Sequence, residues 1–157
     1  MIEKLLAEYC RDLITFTGNI AVGRHNFDRA ATPTDFIIID SLGPSSPSGR
    51  TYGYDGDAEQ ETFSAHVRGD FTLDFYGATA ETNAYKFVAL QGSQKSYELQ
   101  RDLGFSVGHC GQIANLRSLD GAQYNGRYQV QLILNYQTSA VVDTLRIDEA
   151  VVDIIYE

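Results

Sequence analysis

The clearest chemical pattern in the sequence is GFSVG at 104–108, which matches the G-x-S-x-G sequence of a hydrolase nucleophile elbow. That elbow places its serine on a sharp turn after a strand and before a helix. Here helical spacing precedes Ser106 and strand-like spacing follows it. The last histidine, His109, is too close in sequence to fold back as a base. The pattern therefore predicts a helix C-cap at Gly104, and a small hydrolase acting through Ser106 is the weaker alternative.

Two further groups of residues have the composition of metal ligands. Asp55, Asp57 and Glu59 are spaced like the start of a calcium-binding loop, but no glycine stands at its sixth position. His109 and Cys110 are adjacent, and the sequence offers no second pair to complete a zinc site. We therefore predict no metal, no cofactor and no catalytic residue.

Three ionisable residues fall on alternate positions of one predicted strand: His66, Asp70 and Asp74. Carboxylates four residues apart on a strand are about 13 Å apart. Paired glycosidase carboxylates need roughly 5–9.5 Å. Together with Arg68, these side chains predict a solvated or subunit-facing sheet surface.

Arg50, Tyr52 and Tyr54 interleave a base with aromatic rings, as in proteins that bind single-stranded nucleic acid. However, acidic residues follow at once, and 21 acids against 12 bases give a net charge of −9. That charge opposes binding to nucleic acid or to an anionic membrane. Arginine and tyrosine are enriched in protein interfaces, so this segment is predicted to contact protein.

Length and composition predict one folded domain over residues 1–157. The chain is 43% hydrophobic and 21% charged, as is ordinary for a soluble protein. Its two cysteines, Cys10 and Cys110, form no disulfide framework. Neither a signal peptide nor a membrane span is expected.

Hydrophobic periodicity places the predicted elements. Apolar residues at helical spacing predict a helix over 2–15, and Phe36–Ile39 predicts a short buried strand. Residues 63–76 alternate strictly between apolar and polar positions, which predicts a long strand with one solvated face. Helical spacing returns over 80–103, with a break or kink at Gly92, and further strands are predicted near 105–108, 112–119, 128–137 and 144–156.

Ten of the sixteen residues at 41–56 are Ser, Gly or Pro, which predicts a long loop, mobile over 41–62. The expected fold is α+β: a mixed, mostly antiparallel sheet with two helices packed on one face and that loop between the first two strands. Long edge strands need a partner. The predicted subunit or partner contacts are Arg50, Tyr52, Tyr54, Asp55, Asp57, His66, Arg68, Asp70 and Asp74.

Several short segments in this order resemble the phage neck or tail terminator proteins of the gp12-like group. They are the amphipathic helix Ile2–Ile14, the polar linker with Asn19 and Pro33, and the strand Phe36–Ile39. A long strand then ends in Asp74–Gly77 and runs into Thr79-Ala80, a helix ends at Leu103-Gly104, and Gly126–Tyr128 opens a strand of alternating residues.

The resemblance implies a virion structural protein rather than an enzyme. It implies a homo-oligomeric ring, a hexamer, that caps the head-proximal end of the tail tube and joins it to the head connector or stopper protein. DNA would pass through without specific binding, no membrane would be involved, and assembly would occur in the host cytoplasm. Another head–tail joining or tail completion protein, such as a stopper or a tube-like protein, remains the alternative, with a small hydrolase or ligand-binding module less favoured.

Overall fold

A computed structural model describes residues 2–23, 35–43, 46–116, 118–120 and 123–144. Within them the chain forms three helices, α1 (Ile2–Ile14), α2 (Ala80–Leu90) and α3 (Gln94–Leu103). The strands are β1 (Asn19–Val22), β2 (Phe36–Ser41), β3 (Ser46–Asp55), β4 (Gln60–Tyr76), β5 (Phe105–Asn115), β6 (Ser118–Asp120), β7 (Gln123–Asn125) and β8 (Arg127–Asp143).

Helix α1 forms because its apolar residues recur on one face. Leu6, Tyr9, Cys10 and Leu13 are all buried, as the helical spacing predicts. The helix ends at Ile14, earlier than expected, because Thr15 takes a left-handed conformation and the N–H of the next residue bonds back to a carbonyl of the last turn.

The predicted helix over 80–103 is two helices, with the break where Gly92 indicated. Ser93 is the N-cap of α3, and its hydroxyl accepts a hydrogen bond from the N–H of Ser96 at 3.2 Å. Gly104 ends α3 with φ at +74°, which confirms the predicted C-cap. The chain therefore has three described helices where two were expected.

Six strands form one mixed, mostly antiparallel sheet, which confirms the predicted fold class. The strand order is β1-β2-β4-β8-β5, and β3 also pairs with β4. Only the β1–β2 pair is parallel within this sheet. β6 and β7 form a separate hairpin.

β4 and β8 are the two predicted long strands. Each extends beyond the residues whose alternation predicted it, which were 63–76 and 128–137. They pair residue for residue from Gln60↔Asp143 to Tyr76↔Arg127. The predicted strand is confirmed, and Phe71, Leu73 and Phe75 are buried on the core face as expected. The expected solvated face is wrong at this end of β4, because Thr72 and Asp74 are also buried, at 1% and 4% exposure. Their side chains share one face with the alternate residues of β8 and β2 opposite them.

The helices pack on that face of the sheet and enclose the core. Tyr9 of α1 makes edge-to-face contacts with Phe87 of α2 and Phe105 of β5, at 6.1 Å and 5.4 Å between ring centroids. Its hydroxyl lies 2.7 Å from the Ser96 hydroxyl of α3, and burial raises the pKa of Tyr9. The Tyr9 side chain of α1 therefore contacts both other helices and the sheet.

The predicted loop over 41–56 is wrong for most of its length, because Ser46–Asp55 forms β3 against β4. The glycines, serines and prolines have low strand propensity, but pairing with a long neighbouring strand compensates. Pro47 lies near the start of β3, and a register shift between Pro47 and Gly49 absorbs the irregularity. Residues 19–22, which lie in the polar linker that contains Asn19 and Pro33, form β1.

Other expectations remain predictions. The last predicted strand, 144–156, lies outside the described residues except for Thr144. The single-domain organisation over 1–157 and the mobility of 41–62 also remain predictions. Of the helices that the structure describes, none combines the length and apolar character needed to cross a membrane.

Gly104→Ala should lower the free energy of unfolding by about 1 kcal/mol, because alanine is strained at positive φ. Gly92→Ala is the matched control at the other end of α3, since its φ is not positive and an added Cβ meets nothing within 4 Å. Urea unfolding of the two variants measures the difference. Equal losses would contradict the left-handed cap at Gly104.

Candidate functional site

The glycines of the GFSVG pattern have backbone roles. Gly104 caps α3, and Gly108 lies at a bulge of β5, where an added Cβ would come within 2.6 Å of the Asn135 amide nitrogen. Ser106 is exposed on β5, so a helix precedes it and a strand contains it, the reverse of an elbow. It shares an open notch of about 310 Å³ with His66. Ser106 lies on β5 and His66 on β4, and β8 runs between these two strands. The backbones of β4 and β5 are therefore about 10 Å apart.

The acidic residues at 55–59 build a turn. A carboxylate oxygen of Asp55 accepts hydrogen bonds from the N–H groups of Asp57 and Ala58, at 3.0 and 3.2 Å. This turn joins β3 to β4. Nowhere in the described ranges do three or more His, Cys, Asp or Glu side chains converge as metal ligands.

Most of the predicted contact residues lie on a three-stranded extension, here called the arm. It comprises β3, the turn at 56–59, residues 60–68 of β4 and residues 135–143 of β8. The three helices contact the opposite ends of β4 and β8, together with β5, β1 and β2. The arm consequently exposes most of its side chains on both faces.

One face of the arm continues the apolar face of the core and is rich in aromatic and aliphatic side chains. Tyr52 is 60% exposed, Tyr54 51%, Phe63 47% and Val142 50%. The rings of Tyr52 and Phe63 are neighbours across the strands, with centroids 5.4 Å apart. Because contiguous exposed apolar surface is uncommon on monomers, this face has the character of a contact surface. Arg50 stands on it too.

The Tyr52 hydroxyl donates a hydrogen bond to a carboxylate oxygen of Glu61 at 3.1 Å. Desolvation and this carboxylate raise the pKa of Tyr52, so the ring stays neutral at physiological pH. Tyr52 therefore presents an uncharged aromatic surface beside an acidic end of the arm that carries Asp55, Asp57 and Asp143.

The opposite face of the sheet is polar. His66, Arg68 and Asp70 are exposed on it, as predicted for the polar positions of β4. Asp74 continues the same row but is only 4% exposed. It therefore offers a partner little surface of its own.

Asp74 is buried under a side-chain cluster at the start of β8. Its carboxylate accepts hydrogen bonds from the Arg127 guanidinium, at 3.1 and 3.4 Å, and from the Gln129 amide at 3.0 Å. The hydrogen bonds from Arg127 to Asp74 raise the pKa of that guanidinium. Arg127 also lies 5.6 Å from the Tyr76 ring, which stacks on Phe36 at 4.6 Å. Asp74 thus fixes a row of side chains across three strands.

Comparison with known families decides the identity. The family model described as phage neck terminator protein matches residues 2–157. The chain belongs to that family. A search of curated proteins finds no match.

As a neck terminator protein, the chain has a phage structural role in joining head and tail, and its place is at the neck of the virion. The family interacts with other phage head or tail proteins and is not an enzyme family. The predicted resemblance is therefore confirmed at family level, while the gp12-like subgroup remains a prediction.

Sequence reasoning missed part of this neck terminator's arm. Alternation was read only to Gln137, although β8 continues to Asp143 and exposes Val141 and Val142 at 58% and 50%. A signal was present, because the segment TSAVVD at 138–143 is rich in β-branched residues and has no glycine or proline. The contact roles predicted for the other arm residues stay predictions.

Arg127→Met should lower the free energy of unfolding by about 2 kcal/mol, because it leaves a buried Asp74 carboxylate with one fewer charged partner. Arg101→Met is the matched control. Arg101 and its partner Asp102 are 76% and 66% exposed, so losing that pair should cost less than about 0.5 kcal/mol. Denaturant unfolding compares the two variants, and equal losses would show that Asp74 does not depend on Arg127.

Proposed function

We propose that this chain assembles as a homo-oligomeric ring, a hexamer, at the head-proximal end of the phage tail. The ring caps the tail tube and joins it to the head connector or stopper protein. The observation that carries the proposal is the arm, whose apolar and aromatic face lies outside the helix-covered core. A chain that served alone would gain nothing from such a surface and would risk aggregation.

The arm suits assembly because its exposed groups are concentrated. Nine large hydrophobic or aromatic side chains are exposed in the described residues, and five of them lie on the arm: Tyr52, Tyr54, Phe63, Val141 and Val142. Aromatic side chains supply much of the binding energy of interfaces. We therefore assign subunit contacts to the arm, including the predicted Arg50, Asp55, Asp57, His66 and Arg68.

The net charge of −9 supports a passive relation to DNA. An acidic surface facing a channel repels the phosphate backbone, so that DNA passes without specific binding. The proposed assembly takes place in the host cytoplasm and involves no membrane. It needs no cofactor.

Light scattering of the purified protein, at low and high concentration and with tail tube protein added, tests the ring. We expect a mass of about six chains, either alone or once tube is present. A chain that remains monomeric with both tube and connector present would contradict the proposal. A ring that binds the tube but not the connector would argue for a tube-like role.

Tyr52→Ala/Tyr54→Ala should weaken assembly about tenfold or more, because both rings leave the exposed face of the arm. Unfolding of the monomer should stay close to wild type, since neither ring is part of the core. Tyr85→Ala/Tyr97→Ala is the matched control, removing two tyrosines that are 57% and 62% exposed on the helices. Assembly is measured by light scattering over a dilution series, and wild-type assembly of the arm variant would overturn this contact assignment.

A further inference from the structure

Among the strands that the structure describes, none covers the outer edge of the arm on either side. β5 pairs with β8 only as far as Phe105↔Tyr136, and within the described residues no strand continues beside Gln137–Asp143. On the other side, β3 pairs with β4 by one edge, and no described strand pairs with its other edge. Both edges belong to the same three-stranded sheet.

The backbone groups at the β8 edge follow from the hydrogen bonds further along the strand. The Arg127 carbonyl accepts from Leu116, on the β5 side, while the N–H of Thr144 bonds to Glu59 on the β4 side. Successive residues of a strand alternate between its two edges. Odd-numbered residues of β8 therefore direct N–H and C=O away from β4, and at the open edge these include Ser139 and Val141.

The same reasoning gives the outward residues of β3. Even-numbered residues of β4 point to this side, as the bond from Leu42 to the Asp70 carbonyl shows. Thr51 lies opposite Ser64, so its backbone groups point inward to β4. The backbone groups of Arg50, Tyr52 and Tyr54 point outward.

Over residues 137–142, the β8 edge lacks the features by which soluble proteins block strand addition, and the charged Asp143 lies at the end of this stretch. Its sequence QTSAVV at 137–142 has no charge, proline or glycine, and no bulge interrupts its pairing with β4. The notch of about 310 Å³ lies beside the first residues of β5, and its lining includes Arg101, Gly104 and Gln137. An added strand would therefore find both open backbone groups and space at its end.

We propose that the β8 edge at 137–143 pairs with β3 of a second copy of this chain. This rests on the proposed self-assembly and specifies its contact. β3 and β8 both run antiparallel to β4, so they are parallel to each other. Copies related by rotation about an axis along the arm bring the two edges together in parallel.

A second copy fits this edge better than an unrelated strand does. One heterologous contact covers both open edges of every copy, and repeating it by rotation closes a ring. The faces also agree, because Tyr52 and Tyr54 of one copy continue the apolar face that holds Ala140 and Val142 of the next. Thr51 continues the polar face that carries Ser139.

Disulfide formation between two cysteine variants tests this pairing. The Thr51→Cys protein is mixed with the Gln137→Cys, Ser139→Cys or Val141→Cys protein. These three positions lie on one face of β8 and test three registers of the pairing. All variants also carry Cys110→Ser. At least one mixture should give a disulfide-linked dimer under mild oxidation. Within one chain β4 separates the positions by about 10 Å, too far for a disulfide.

Gln131→Cys is the matched control, because it lies on the same face of β8 where β5 already covers the edge. Mixed with Thr51→Cys it should give no dimer above background. If the ring forms but positions 137, 139 and 141 crosslink no better than 131, the edge pairing is wrong while the proposed function stands. If no ring forms with tube and connector present, the proposed function itself fails.

Ser139→Pro supplies an independent readout. It removes one outward N–H and leaves the bonds to β4, so assembly should weaken about tenfold or more while the monomer stays folded by circular dichroism. Ser139→Ala is the control and should assemble as wild type. Wild-type assembly of a folded Ser139→Pro protein would overturn the pairing.

Discussion

The antiparallel pairing of β4 with β8 is the constraint on which the rest of the structure depends. Each strand has 17 residues, and they pair over their whole length. A strand of that length extends about 55 Å, whereas the 13-residue α1 spans about 20 Å. No single helix can therefore cover the strand pair from end to end. Because the three helices pack on one another over the core half of the pair, the other half remains uncovered as the arm.

Side chains of β4 and β8 alternate between the two faces of the sheet along the whole strands, so both faces continue from the core into the arm. Phe71 and Leu73 are buried beneath the helices, and Phe63 occupies the same face where no helix reaches. Its 47% exposure therefore results from the length of the sheet and not from a change in pattern. On the other face, Asp74 is buried and its carboxylate accepts hydrogen bonds from Arg127 and Gln129.

Much of this architecture could be predicted from the sequence where local pattern and tertiary contact agree. The α1 stripe, the long strand at 63–76 and the cap at Gly104 are local signals, and the structure confirms each. The solvated face expected for that strand is only partly present, because Thr72 and Asp74 are buried by tertiary contacts. β3 could not be predicted because its stability comes from pairing with β4, which composition does not reveal. The course of β5 could not be predicted for the same reason. Bulges at two places in its pairing with β8 change which of its residues point to the core. In the candidate site, residue types indicated a contact surface, but only the strand pairing shows that Arg50, Tyr52 and Phe63 share a face.

A contact surface built on continuous strands differs physically from the mobile loop that the composition suggested. A loop loses conformational entropy when a neighbour orders it, and that loss weakens association. Two of the arm's three strands, β4 and β8, continue from the core, and the third, β3, pairs along β4. The turn at Asp55 joins β3 to β4 through side-chain hydrogen bonds. Pairing with β4 constrains the backbone of the predicted contact residues on β3, so that assembly through them would cost less conformational entropy than ordering a loop. The same continuity would couple the core to the proposed interface, because a core substitution that shifts β4 against β8 would also displace the arm residues on those two strands.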